Sequence, residues 1–114
     1  MIGARMHELA LAESIAGAVC DRAGGRPVRR VTVRIGQLTA VAPAAMEFCF
    51  GLAVQGTVAE GAALAIEHRP GTAHCRSCGA DVRLPDPILL CPCGSADLEV
   101  TGGRELQIVS MEVG

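Results

Sequence analysis

The chain has no tryptophan, no tyrosine and only two phenylalanines, Phe48 and Phe50. A core without large rings must be assembled from Val, Leu, Ile and Ala. Half of the 114 residues are apolar, enough for one modest core. The shortage of aromatics also removes the stacking platforms that hold single-stranded nucleic acid. Positive charge is not in excess: 10 basic residues stand against 12 acidic ones, for a net charge of −2. A binder of the phosphate backbone relies on a basic surface, so this balance argues against nucleic acid as a partner. No apolar run is long enough to span a membrane, and no membrane role is expected. The opening Met1-Ile2-Gly3-Ala4-Arg5 lacks the apolar centre of a signal peptide. The expected compartment is the cytoplasm, where paired cysteines stay reduced and open to metal. Internal repeats and low-complexity segments are absent as well. What remains is one ordinary domain, or a small domain with a metal-stapled insert.

What the chain does have is four cysteines in two close pairs, Cys75-Arg76-Ser77-Cys78 and Cys91-Pro92-Cys93. Gly79 and Gly94 follow directly, and residues 79 to 90 separate the pairs. Four thiolates close a tetrahedral zinc shell with no open position, so the expected site is structural. A glycine after each pair allows the positive φ that a tight metal-binding turn needs. The second pair is C-x-C, one residue shorter than the usual C-x-x-C, and makes a tighter turn. His74 stands by as a substitute ligand, although a solvated His74 is the plainer reading. A dithiol redox pair is the competing account of the cysteines, but it has no use for a second pair with a matching glycine. Cys20 and Cys49 fall within helical patterns and read as small buried hydrophobes. His68 reads as a surface histidine.

Residues 9 to 23 are expected to form a helix, with Leu9, Ala12, Ala16 and Val19 as its apolar stripe. Gly24-Gly25 ends it. Val31, Val33 and Ile35 alternate with Thr32 and Arg34 and mark a strand with one buried face. Pro43 suits the first turn of a second helix, whose inner face would be Met46, Cys49, Phe50 and Ala53 and whose stop would be Gly56. Leu64 and Ile66 suggest a second strand. Leu106 to Val113 suggests a last one, alternating through Val109, Met111 and Val113. That last strand has no core of its own and returns most economically beside residues 31 to 35. The expected fold class is therefore α/β (α+β): a small sheet with two helices, formed from both chain ends, plus an inserted zinc-ribbon module. The expected domains are 1–69 with 97–114, and 70–96 for the cysteines.

A closed zinc shell performs no chemistry, so function is sought elsewhere, at Met6-His7-Glu8. Imidazole suits Zn, Cu, Fe and Ni. In a chain beginning at Met6, the α-amine, the His7 amide nitrogen and the His7 imidazole could chelate one metal in a plane. Square-planar nitrogen coordination is a preference of Ni(II) and Cu(II). The bland alternative is a solvated helix start, with Glu8 complementing the helix dipole. The residues alone leave both open. Ile2-Gly3-Ala4-Arg5 offers no ligand side chain and reads as a disordered lead or an artefact of start-site choice.

Met6-His7-Glu8-Leu9 before an Ala/Ser-rich helix resembles the HypA/HybF hydrogenase nickel-incorporation family. So do Val33-Arg34-Ile35-Gly36, Met46-Glu47-Phe48-Cys49-Phe50, Gly61, Cys91-Pro92-Cys93-Gly94-Ser95 and the closing strand, over residues 6 to 113. The resemblance implies a metallochaperone, not an enzyme. It would carry Ni(II) as transient cargo at Met6, His7 and Glu8, with a structural Zn(II) at Cys75, Cys78, Cys91 and Cys93. The implied partners are the GTPase HypB, the [NiFe]-hydrogenase large subunit and, in some organisms, urease maturation proteins. The chain would act as a monomer or a homodimer. Three features depart from the family pattern: five residues precede Met6, the second cysteine pair is short, and Ala42-Pro43-Ala44-Ala45 stands where many members place an acidic residue. The rival reading is a zinc-ribbon adaptor or nucleic-acid-binding module, supported by the cysteines alone. A second, zinc-independent Ni(II) site separates the two.

Overall fold

The computed structural model describes the backbone from Ile2 to Gly114 and the side chains from Glu8 onward. The elements in chain order are α1 (Ile2–Ala23), β1 (Val28–Gly36), a single 3-10 turn (Gln37–Thr39), α2 (Pro43–Ala53), β2 (Ala63–Arg69), β3 (Gly71–Cys75), β4 (Asp81–Leu84), β5 (Leu98–Gly102) and β6 (Leu106–Val113). Two sheets result, ordered β2-β1-β6 and β4-β3-β5. The small α+β architecture expected from the sequence is present, and the last strand does return beside β1.

The chain divides into two compact units. One comprises residues 1–33, 41–66 and 108–114, and the other 34–40 and 67–107. In the first, α1 packs on α2. Ala12, Ile15, Ala16, Val19 and Ala23 form the buried stripe of α1, each at most 7% exposed. Their spacing of three or four residues is what one helical face requires. Leu9, expected in this stripe, is only half-buried. Met46, Cys49, Phe50 and Val54 answer from α2 and its C-cap, with Val28, Val31 and Val33 from β1. Small residues on α1 allow close approach to α2, and Phe50 of α2 is buried at 1% exposure. Along β6, Val109 faces solvent while Ile108, Met111 and Val113 are half-buried, so the expected alternation fails at Val109. Two consecutive exposed residues, Val109 and Ser110, interrupt the period of two.

In the second unit β3 pairs antiparallel with β4, Gly71 opposite Leu84 through His74 opposite Asp81. It also pairs antiparallel with β5, with a register shift between Thr72 and Ala73. Gly71, Ala73 and Cys75 are buried, as is Leu84 opposite Gly71. Where β1 ends, Gly36 lies against Gly103. A Cβ on Gly36 would fall 2.0 Å from the Gly103 carbonyl oxygen, so only glycine permits this approach.

Candidate metal centre and the buried carboxylate

The first cysteine pair closes the β3–β4 hairpin, and the second sits in the loop before β5. Each pair is wound into a turn by its own backbone. Gly79 donates to the Cys75 carbonyl at 2.9 Å, and Gly94 to that of Cys91 at 2.8 Å. Both glycines have positive φ, 78° and 96°, as the sequence pattern requires. Two contacts brace the turns against each other. The Ser77 and Ser95 hydroxyls lie 2.9 Å apart, and Arg76 donates to Asp97 at 2.9 Å. Sequence reasoning missed these braces. Only the opposite charges of Arg76 and Asp97 beside the cysteines could have hinted at one.

The four sulfurs converge, all within 4.8 Å of one another. Cys75 Sγ lies 3.7 Å from Cys93 Sγ, and Cys78 Sγ 3.7 Å from Cys91 Sγ. A regular tetrahedron with Zn–S bonds of about 2.3 Å has S···S edges of about 3.8 Å. The donor set therefore fits zinc in chemistry and in spacing, and the short C-x-C pair brings both of its sulfurs into the group. Cys75 and Cys91 are buried while Cys78 and Cys93 are exposed. His74 is not among the converging donors. Its Nδ1 pairs with Asp81 Oδ1 at 2.9 Å.

The thiols are unlike one another. The backbone N–H of Cys78, 3.4 Å from Cys75 Sγ, brings the Cys75 thiol down to about 6 against the opposing effect of burial. At Cys91 the backbone N–H of Cys93 pulls downward. Burial and the sulfurs of Cys93, Cys75 and Cys78 outweigh it and push that thiol up to about 12. One thiolate forms readily, and its charge opposes the next. A dication at the centre reverses that opposition, so binding expels the remaining protons.

At the other candidate segment, the side chains of Met6 and His7 lie outside the described residues. Glu8 is described, and its position is unlike the solvated helix start weighed above. It is 5% exposed, and its Oε2 accepts the backbone N–H of Ala42 at 2.7 Å. Ala42 is the N-cap of α2 and makes no side-chain cap of its own. The partial positive charge of a helix N-terminus favours a carboxylate there. Glu8 complements the dipole of α2, not that of α1.

A family model described as "Hydrogenase/urease nickel incorporation, metallochaperone, hypA" matches residues 6–113. The chain belongs to the HypA family. Among its HypA relatives, the hydrogenase maturation factor HypA of Trichormus variabilis is 47% identical over 108 residues, covering 95% of this chain and 96% of the relative. The hydrogenase maturation factor HypA 2 of Bradyrhizobium diazoefficiens is 43% identical over 112 residues, covering 95% and 99%. The fold is that of the solution structure of the Ni metallochaperone HypA from Helicobacter pylori, with a TM-score of 0.64 at 23% identity over 93% of this chain and 96% of that one.

One further feature lies near the cysteine sheet. A recess of about 380 Å³ is lined by Arg34, Arg69, Thr72, Thr101, Glu105 and Gln107, among others. Arg34 donates to Glu67 at 3.2 Å. Backbone N–H groups of Glu105 itself and of Gly103, helped by Arg69 and Arg34, hold the Glu105 carboxyl below its ordinary range.

Proposed function

We propose that this chain is a nickel metallochaperone that delivers Ni(II) for maturation of [NiFe]-hydrogenase. The observation behind this reading is HypA family membership across residues 6–113, read together with the closed geometry of the cysteine cluster. Four thiolates that saturate zinc leave an incoming ligand no vacancy. A cargo ion has to be received and given up, so it needs a site with open positions. The Met6-His7-Glu8 segment carries it, with the His7 imidazole as the borderline donor that Ni(II) prefers. Transfer proceeds by ligand exchange, the recipient's donors replacing those of the chaperone one at a time. The proposed division of labour places nickel handling in residues 1–69 with 97–114, and the zinc staple in 70–96. The proposed partners are the GTPase HypB and the hydrogenase large subunit, with urease maturation proteins where urease is present, all in the cytoplasm. The chain itself is proposed to be no enzyme.

The test is metal stoichiometry on the full chain. His7→Ala is expected to lose Ni(II) binding in a calorimetric titration while retaining one zinc per chain by elemental analysis. Unchanged nickel affinity in that variant sinks the assignment to the Met6-His7-Glu8 segment.

A further inference from the structure

We infer that Glu8 serves the nickel site as a positioning residue, clamping the Met6–His7 turn of α1 to the start of α2, and not as a nickel ligand. The inference rests on the reading that nickel binds at this segment. It begins with what α2 lacks. A helix N-terminus leaves its first N–H groups without intrahelical partners. The usual remedy is a capping box, in which the N-cap side chain serves the N3 amide and an N3 Glu reaches back to the N-cap N–H. Here the N-cap is Ala42, Pro43 follows at N1, and N3 is Ala45. Neither half of the box can be made locally. Glu8 supplies the glutamate half from another helix, taking the Ala42 N–H at 2.7 Å across 34 residues of sequence.

Burial decides which role the carboxylate can play. At 5% exposure, Glu8 is the one buried charged residue among the described residues. A carboxylate withdrawn from water is costly unless it is hydrogen-bonded, and the Ala42 N–H and the helix end meet that need. A ligand for exchangeable cargo has the opposite requirement, since it must be reached by solvent and by the recipient. The bond fixes the one residue that directly follows His7, so the turn bearing His7 is held beside α2. Ala42-Pro43-Ala44-Ala45 has no acidic residue of its own, and the carboxylate at the start of α2 arrives from α1.

The two roles separate under conservative replacement. In Glu8→Gln the side-chain carbonyl can still accept the Ala42 N–H, but the anionic donor is gone. In Glu8→Ala both are lost. Titration of Ni(II) into the zinc-loaded full chain is expected to give Glu8→Gln near parental affinity and the parental visible spectrum. Glu8→Ala should bind more weakly by about tenfold or more, the scale of a lost buried hydrogen bond to a charged group. Its spectrum at saturation should still match the parent, because the ligand set is the same. A changed spectrum or lost affinity in Glu8→Gln would make Glu8 a ligand and overturn the inference, as would parental affinity in Glu8→Ala. If Glu8→Ala does not fold, Glu8→Gln alone decides. His7→Ala runs alongside: nickel binding that survives it defeats the site assignment itself, a result distinct from either Glu8 outcome.

Discussion

Replacing glycine by alanine should have opposite signs at different positions of this chain, and the geometry gives the sizes. At Gly36 the new Cβ would lie 2.0 Å from the Gly103 carbonyl oxygen, 2.1 Å from its carbon and 2.6 Å from the Arg104 nitrogen. All three are backbone atoms, and ordinary contact begins at 3.4 Å, so the two segments must part by more than 1 Å. That separation breaks the Gly36 N–H bond to the Glu105 carbonyl and the Leu38 N–H bond to the Gly103 carbonyl, both 2.8 Å. At about 1 kcal/mol net per bond, and more for a group left buried without a partner, Gly36→Ala should destabilise by about 2–4 kcal/mol. Gly17 in α1 and Gly51 in α2 meet nothing within 4 Å of a built Cβ. There alanine should stabilise by about 0.5–1 kcal/mol each, through helix propensity alone. The assay is urea unfolding of the zinc-loaded protein, comparing midpoints at constant slope. A Gly36→Ala midpoint at or above the parent's would refute the close-approach argument. A loss at both Gly17 and Gly51 would refute the propensity argument.

Cys91→Ser should release zinc and melt the β4-β3-β5 unit, since structural zinc contributes its binding energy to folding; full zinc content with an unchanged melting temperature would disprove the four-sulfur site. Nickel affinity should fall as pH drops from about 7 to 6, because a proton competes for the imidazole, whose ordinary pKa is about 6.5. A flat profile by calorimetry over that interval would exclude His7 as an essential donor. Glu105, with its folded pKa depressed, stabilises the fold above its unfolded pKa and loses that effect as pH falls through the folded value. Glu105→Gln should therefore cost stability at pH 7, and the gap to the parent should narrow below about pH 4. A gap that widens in acid would contradict the assigned direction.

The elements readable from sequence were those with a sustained period. Val31, Val33 and Ile35 announce β1, the three-to-four spacing announces α1, and Pro43 marks the first turn of α2. Helix α1 runs from Ile2, not residue 9, because nothing between Ile2 and Glu8 except Gly3 disfavours a helix. Strands β3, β4 and β5 escaped notice. Each has only four or five residues, and β3 and β5 include glycine. Pairing and the cysteine turns hold them, not intrinsic preference. The cysteine site was legible because its ligands are close in sequence. The role of Glu8 was not, because its partner is a backbone amide on an alanine, which leaves no trace in residue type.

The long reach of that Glu8 bond has a kinetic consequence. A local cap forms while its helix nucleates, but this one closes only when α1 and α2 have already met, 34 residues apart. An excised α2 peptide would carry a bare N-terminus, and a fragment ending before Ala42 would carry Glu8 without its donor. The start of α2 is then expected to consolidate late on the folding route, after the transition state. Breaking the bond at Glu8 should accelerate unfolding while leaving the refolding rate close to that of the parent.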